Sequence, residues 1–206
     1  MTALLIIDVQ NDFTPGGALA VAEGDEVISL INELQKKFDF VVATQDWHPS
    51  NHGSFAATHK KKNGEVIELE GLDQILWPTH CVQGSKGAEF HPDLEISKIR
   101  KVFQKGQDVK SDSYSGFFDN AKKKDTGLGD YLKEQGITEV VVVGLATDYC
   151  VKFTVLDALD LGFKTTLVLD ACRGVDLNQG DVQKALEIME RKGAKIINSD
   201  NLVFLS

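Results

Sequence analysis

The stretch Ala3–Val9 reads ALLIIDV, a continuous apolar run that ends beside a carboxylate. A run without polar alternation is typical of a strand covered on both faces, as the strands of parallel sheets are. The sequence then changes to helical spacing, because apolar residues recur every three to four positions from Val27 to Leu34. Asp25–Lys37 is therefore predicted to be a helix that buries one face.

The same alternation of strand and helix continues towards the C-terminus. The further predicted strands are Phe40–Thr44, Lys101–Gln104, Glu139–Gly144, Thr165–Asp170 and Ala194–Ile197, and the further helices are Gly129–Gln135, Asp148–Leu161 and Asp181–Lys192. Repeated strand–helix units favour right-handed crossovers and helices on both faces of one sheet. We therefore expect an α/β fold with a single domain over residues 1–206. Helices should cover both faces of a mostly parallel sheet of about six strands, which gives three layers in the order α/β/α.

Two polar stretches lie outside this alternation. Trp47–Leu76 is a long connection rich in lysine, glycine and glutamate, with an expected turn at its tip in His59–Gly64, and Gln107–Thr126 is the second stretch. A connection as long as the first is usually functional in a compact domain. We expect it to form a lid or a wall of the site.

Composition and charge exclude several classes of protein. With 42% hydrophobic and 26% charged residues, the chain can bury a core. Its formal charge of −9 repels phosphate backbones and anionic membranes, so we expect neither nucleic acid nor membrane as a partner. The N-terminus lacks the pattern of a signal peptide, and Val140–Ala146, the longest apolar run, is too short to span a bilayer. An odd number of cysteines then indicates a reducing compartment, and we expect a cytoplasmic protein.

Polar side chains follow four neighbouring strands of the predicted sheet. The first strand ends at Asp8, the second leads to Asp46 and His48, the third ends next to Lys105, and the fourth leads to Cys150. In a parallel sheet the ligand site lies beyond the carboxyl ends of the strands. We therefore expect these side chains to meet at one rim.

Cys150 begins a predicted helix, with Thr147 or Asp148 as its N-cap. Unpaired N–H groups and the positive dipole end of a helix favour a thiolate in the first turn. Lys105 and Asp8 should lie nearby, where a cation lowers the pKa of a thiol and a carboxylate can accept its proton. Cys150 is thus a candidate nucleophile.

The alternative for any single cysteine is a small buried apolar residue. Cys81 and Cys172 lack charged neighbours of that kind in the predicted sheet, so we interpret both as packing residues or as supports of nearby ligands.

Asp46 and His48 are candidate metal ligands. They lie two positions apart in extended backbone, so both side chains point to one side. His80, within WPTHC, would add a second imidazole. One carboxylate and two imidazoles with open positions suit Zn²⁺, Fe²⁺ or Mn²⁺. Spacing alone also permits ordinary surface or capping roles for these histidines.

These motifs, taken in order, resemble the nicotinamidase (pyrazinamidase-like) group of the isochorismatase-like cysteine hydrolase family. The matching segments are LIIDVQNDF (5–13), GGAL (16–19), TQDWHP (44–49), WPTHCV (77–82), KG (105–106), YSGF (114–117) and GLATDYCV (144–151). The segments around Asp8 and Cys150 mark the superfamily, whereas DWHP and WPTHC are typical of the nicotinamidase group. The match covers nearly the whole chain.

The resemblance implies roles for particular residues. The implied catalytic triad is Asp8, Lys105 and Cys150, and the implied metal ligands are Asp46, His48 and His80. It further implies a cis peptide bond before Ala146 and an oxyanion hole made of the N–H groups of Ala146 and Cys150. The side chains that match the walls of a flat ring are Phe13, Leu19, Trp77, Tyr114 and Ala146.

The implied activity is the deamidation of nicotinamide, and of pyrazinamide, through a thioester on Cys150, as a step of NAD salvage. The implied cofactor is one divalent metal, zinc, with iron or manganese as alternatives, which binds the ring nitrogen. The competing hypotheses are a hydrolase of another small amide or of isochorismate, and a binding module that kept the fold without activity. The family also leaves a homo-oligomer possible.

One region departs from the pattern. The segment between Phe55 and Trp77 varies in length among relatives, which leaves a further metal ligand open. The candidates for that ligand are His52, Glu65, Glu68 and Glu70.

Overall fold

The computed structural model describes residues 1–202. Its strands are β1 (Thr2–Ile7), β2 (Val41–Asp46), β3 (Val66–Leu69), β4 (Leu72–Ile75), β5 (Ile99–Lys105), β6 (Glu139–Leu145), β7 (Lys164–Arg173) and β8 (Lys195–Ile197). Its α-helices are α1 (Val27–Gln35), α2 (Leu128–Glu134), α3 (Lys152–Asp160) and α4 (Asp181–Lys192). The predicted alternation of strands and helices is confirmed.

Six strands form one sheet in the order β5-β2-β1-β6-β7-β8. Every neighbouring pair in this sheet is parallel. The crossovers place β1 and β6 at the centre, with β2 and β5 beside them. The expected six-stranded α/β/α fold is therefore confirmed, and the ends of β5, β2, β1 and β6 lie side by side.

The apolar run of β1 supplies both layers of the core. Ala3, Leu5 and Ile7 belong to one buried cluster, which also contains residues of α2, α3 and α4. Leu4 and Ile6 point to the opposite face and pack in a second cluster with residues of α1. Because successive side chains of a strand alternate between faces, a sheet covered on both sides requires apolar residues at every position.

The connection between β2 and β5 differs from the expectation. It contains an antiparallel hairpin, β3–β4, whose tip is Glu70–Gly71 rather than His59–Gly64. Glu70 and Gly71 both have positive φ (50° and 85°), as a two-residue turn between twisted strands requires. The sequence did not predict this hairpin, because Glu-Gly is not one of the two-residue turn sequences that strongly indicate one.

None of the helices within residues 1–202 is long and apolar enough to cross a membrane.

Candidate active site

The structure brings the predicted rim residues together. Asp8 follows β1, Asp46 and Lys105 are the last residues of β2 and β5 and are paired in register, and Cys150 lies in the turn after β6. All four are buried, with Asp8 0% and Lys105 2% exposed. Charged groups are rarely buried this deeply unless they are paired.

Lys105 lies at the centre of this cluster. Its Nζ donates hydrogen bonds to Asp46 Oδ1 at 2.5 Å, to the main-chain oxygen of Ser113 at 2.8 Å and to Cys150 Sγ at 3.3 Å. An ammonium group has three donors, so these contacts use all of them. Asp8 Oδ2 lies 2.9 Å from the same Nζ as an ion-pair partner. Lys105 thus contacts two carboxylates and one thiol.

Asp8 keeps one carboxylate oxygen without a hydrogen bond. Its Oδ1 accepts a bond of 2.6 Å from Thr44 Oγ1. Its Oδ2 is buried and receives no hydrogen bond from any of residues 1–202. Burial raises the pKa of Asp8, Lys105 opposes that rise, and Asp46 adds to it. A carboxylate oxygen of Asp8 lies within 4.8 Å of Cys150 Sγ, so Asp8 is placed to accept a proton from the thiol.

The two carboxylates differ in proton affinity. Burial alone would raise the pKa of Asp46, but Lys105 and then His48 hold it well below the usual range. The Lys105 ammonium is stabilised in turn, because Asp46 and Asp8 outweigh the effect of burial and raise its pKa well above normal. The surroundings therefore favour the charged form of Asp46 and make Asp8 the carboxylate that binds a proton more readily.

The expectation of a lowered thiol pKa at Cys150 was wrong. Burial raises the pKa of Cys150 well above its ordinary value, and Asp8 and Asp46 add to that effect, while Lys105 only opposes it. One cation next to two carboxylates leaves no net positive charge for a thiolate. These surroundings favour the neutral thiol over the thiolate, so attack by the sulfur requires a base.

The predicted N-cap was also wrong. Cys150 lies in a π-helical turn, Thr147–Val151, that continues into α3, and no side chain caps this turn. The carboxylate of Asp148 instead accepts hydrogen bonds from the N–H groups of Val175 and Asp176 at 2.9 and 2.8 Å. It ties the turn to the segment after β7.

Asp46, His48 and His80 form the predicted metal-binding group. Asp46 Oδ2 lies 3.5 Å from His48 Nε2 and 3.7 Å from His80 Nε2. Tetrahedral coordination of zinc by nitrogen and oxygen would place ligand atoms about 3.3 Å apart. All three side chains are buried. The spacing fits a divalent metal.

The ring nitrogens that point away from Asp46, the Nδ1 atoms of His48 and His80, support this conclusion. His48 Nδ1 bonds to the carbonyl oxygen of Gly106 at 2.8 Å, and His80 Nδ1 to that of Pro78 at 2.7 Å. A carbonyl oxygen only accepts, so each Nδ1 donates, and each Nε2 is the nitrogen that faces Asp46 and can bind a metal when it carries no proton. Gly106 has a φ of +67°, and a Cβ there would collide with the His48 ring. The charge cluster around Cys150 thus requires Lys105, and the metal-binding group requires a glycine at the next position, Gly106.

Two other groups of potential ligands are less suitable. Asp8, Asp46 and Cys150 have ligand atoms within 4.8 Å of one another, but the Lys105 ammonium already lies among them. His52 groups with His48 and Asp112 rather than with Asp46 and His80.

Among residues 1–202 no glutamate joins a metal-binding group. Glu65 instead bonds to Lys61 and to the N–H of Lys62. His52 packs its ring 4.3 Å from that of His48, and burial together with His48 lowers the pKa of His52 to about 4. His52 is therefore a neutral neighbour of the metal-binding group.

A narrow cavity adjoins both groups. All five predicted ring-wall residues line it, together with Asp46, His80 and Cys150; the full lining is Phe13, Leu19, Asp46, Trp77, His80, Asp112, Tyr114, Ala146, Tyr149, Cys150 and Val175. The sequence reading missed Asp112, Tyr149 and Val175. Tyr149 could have been found as the neighbour of Cys150, whereas Val175 follows β7 outside every quoted segment.

The aromatic walls hold one another in place. Trp77 Nε1 donates a hydrogen bond of 3.0 Å to Tyr114 Oη, and the Tyr149 ring meets Trp77 edge-on at 4.9 Å. Tyr114 also stacks on Phe153 at 5.4 Å. The peptide bond between Leu145 and Ala146 is cis, and Ala146 lines the cavity. The cavity thus has mostly apolar and aromatic walls, and its lining also includes the Cys150 thiol and Asp46 and His80 of the metal-binding group.

Comparisons with known proteins agree with this arrangement. Residues 2–201 match the family model described as Isochorismatase domain. A nicotinamidase of Escherichia coli (strain K12) is 50% identical over 198 residues, covering 94% of this chain and 93% of that protein. The solved structure of an Acinetobacter baumanii nicotinamidase/pyrazinamidase is 51% identical with a TM-score of 0.95, covering 98% of both chains. A Pyrococcus horikoshii pyrazinamidase solved in complex with zinc is 38% identical with a TM-score of 0.79, covering 96% of this chain and 98% of that one.

Proposed function

The chain belongs to the isochorismatase domain family, and from that membership we propose that it deamidates nicotinamide, releasing nicotinate and ammonia. It is a hydrolase of amide carbon–nitrogen bonds. The observation that carries the proposal is a single cavity lined by aromatic and apolar side chains, by Cys150, and by Asp46 and His80 of the metal-binding group. We further propose that residues 1–206 belong to one hydrolase domain.

The apolar walls account for recognition of the ring. Phe13, Leu19 and Trp77 supply flat apolar surface, and burying an aromatic ring there is favourable. Asp46, His48 and His80 would hold a divalent metal, which would supply a Lewis-acid site for the lone pair of the ring nitrogen. The carboxamide would then face Cys150.

The first half of the reaction uses Cys150 and Asp8. Asp8 Oδ2 accepts the thiol proton as sulfur attacks the carboxamide carbon, which makes the raised pKa of Asp8 useful. We assign the oxyanion to the N–H groups of Ala146 and Cys150. Asp8 then returns the proton to the amide nitrogen, the carbon–nitrogen bond breaks, and ammonia leaves behind a thioester.

The second half uses the same groups with water. Asp8 accepts a proton from water as its oxygen attacks the thioester carbon, and the carbon–sulfur bond breaks. That proton returns to sulfur and restores the free thiol, and the second proton of the water passes to the solvent as the acid is released as nicotinate. Lys105 holds Asp8, Asp46 and the sulfur in place throughout.

We propose zinc as the metal, because nitrogen and oxygen ligands suit it and a related pyrazinamidase was solved with zinc. A thiol nucleophile works only when reduced, so the reaction fits the cytoplasm. Pyrazinamide, which keeps a ring nitrogen and a carboxamide, is the expected second substrate.

An ammonia-release assay tests the proposal. The substrates are nicotinamide, pyrazinamide and benzamide, each measured before and after treatment with a chelator. We expect turnover of the first two, little turnover of benzamide, which lacks the ring nitrogen, and a lower nicotinamide rate after chelation. Equal rates on benzamide would remove the reason for the metal, and no ammonia from any of the three would overturn the assignment.

A further inference from the structure

Asp12 is a half-buried carboxylate just outside the cavity lining. Its Oδ2 accepts a hydrogen bond of 2.7 Å from the N–H of Cys81, and its Oδ1 accepts one of 3.2 Å from the N–H of Ala18. Its main-chain oxygen accepts a third, of 2.9 Å, from the N–H of Leu19. One residue therefore joins segments that are far apart in sequence.

The bond to Cys81 acts on a metal ligand. The N–H of Cys81 belongs to the peptide that links it to His80, so Asp12 holds the main chain that carries the His80 imidazole. The carbonyl oxygen of Cys81 accepts a bond of 2.9 Å from the N–H of His48. Cys81 has a φ of +45°, which is uncommon for a residue other than glycine. A continuous series of contacts thus runs from Asp12 through Cys81 to His48.

The bonds to Ala18 and Leu19 act on the ring wall. Leu19 and Phe13 line the cavity, and the Phe13 ring lies 5.5 Å from that of His80. Asp12 is the residue before Phe13, and it binds the N–H of Leu19 and of its neighbour. The same residue therefore holds the apolar wall and the imidazole that faces it.

The packing around Asp12 leaves this arrangement little freedom. A Cβ added to Gly87 would collide with the Asp12 carboxylate, and one added to Gly17 would collide with its main chain. Both segments approach as closely as glycine permits. A shift of the carboxylate would be transmitted to them.

We propose that Asp12 is a positioning residue that holds His80 in the metal-binding group and Leu19 at the ring cavity. The part that concerns the ring rests on the proposed function, whereas the part that concerns His80 requires only that a metal binds. Residues that orient metal ligands typically change metal affinity by about 10- to 100-fold when they are replaced.

The test measures Zn²⁺ affinity without substrate. Zn²⁺ is titrated against a competing chelator into the metal-free full-length chain carrying Asp12→Ala, Asp12→Asn or Asp170→Ala. Asp170 is the matched control, because its carboxylate also accepts two hydrogen bonds at a loop, from the N–H and Oγ of Ser199 at 2.8 and 2.6 Å, and it does not line the cavity. Melting temperatures of the metal-free variants are recorded in parallel.

We expect Asp12→Ala to weaken Zn²⁺ binding by about 10- to 100-fold. Asp12→Asn keeps one acceptor oxygen and should fall between that variant and wild type, and Asp170→Ala should bind Zn²⁺ like wild type. The nicotinamide KM should rise in Asp12→Ala even at saturating Zn²⁺, because the main chain next to Leu19 loses the hydrogen bond between the Ala18 N–H and the Asp12 carboxylate.

Wild-type Zn²⁺ affinity in Asp12→Ala would overturn the proposal. An equal loss in Asp12→Ala and Asp170→Ala, in step with their melting temperatures, would also overturn it, since that result indicates general destabilisation. If Asp12→Ala alone loses Zn²⁺ affinity while wild type releases no ammonia from nicotinamide, the proposed function fails and the role of Asp12 towards His80 stands.

Discussion

Asp46 and Lys105 end neighbouring strands in register, and the carboxylate of one lies 2.5 Å from the ammonium of the other. Only Oδ1 of Asp46 makes this contact, because Oδ2 faces His48 and His80. One carboxylate therefore belongs both to the metal-binding group and to the charge cluster around the thiol. Residues that sequence reasoning assigned to two separate groups form one connected unit.

Lys105→Met should destabilise the protein strongly. The substitution leaves Asp8 and Asp46 buried without their shared cation, and breaking a buried ion pair from one side costs about 3–5 kcal/mol. The free energy of unfolding, measured by denaturant titration of the metal-free chain, checks this value.

Lys36→Met is the control for that change. Lys36 Nζ also lies close to a carboxylate, 2.6 Å from that of Glu33, but the two side chains are 62% and 65% exposed. An exposed pair contributes about 0–1 kcal/mol. Equal losses of stability in the two variants would contradict the central position of Lys105.

The fold could be predicted from the sequence because its determinants are local. The uninterrupted apolar run of β1 and the helical spacing of α1 each report burial directly. The β3–β4 hairpin was missed because its two short strands bury few residues and have no strong apolar pattern.

The sequence could predict which residues belong to the site but not the chemical state that their surroundings impose. Motifs identified Cys150, Lys105 and Asp8, but the pKa of the thiol depends on how many charges surround it and on burial. Those quantities arise from tertiary packing. Asp112 and Val175 reach the cavity from connections whose course no local pattern determines.

His48→Ala should abolish metal binding, because it removes one of three ligands and the ring that packs on His52. Elemental analysis of the purified variant measures the stoichiometry. His91→Ala is the control, since His91 bonds to the N–H of Asp93 away from the cavity. Full metal occupancy in His48→Ala would refute its assignment as a ligand.

Tyr114→Phe should raise the nicotinamide KM more than it lowers kcat. The hydroxyl accepts the hydrogen bond of Trp77 Nε1, and an unsatisfied buried donor costs about 1–3 kcal/mol. The Trp77 ring then loses its fixed position as a wall of the cavity.

Tyr131→Phe is the control for the loss of a hydroxyl, because Tyr131 packs against Phe40 and Phe103 and does not line the cavity. Steady-state kinetics of both variants decide the question. A fall in kcat with an unchanged KM in Tyr114→Phe would show that the hydroxyl serves the chemical step and not the binding of the ring.

Cys150→Ala should abolish ammonia release while preserving the fold and metal binding. The variant keeps Asp8, Lys105 and the metal-binding group but has no sulfur to form the thioester. Removing a covalent nucleophile typically lowers kcat by a factor on the order of 10⁴ or more.

Cys172→Ala is the control for the loss of a thiol. Cys172 is also buried, and burial raises its pKa to about 12, but it packs in the core. Turnover should survive in Cys172→Ala. Substantial turnover in Cys150→Ala, with its metal content and melting temperature unchanged, would mean that water attacks the amide directly and that the thioester mechanism is wrong.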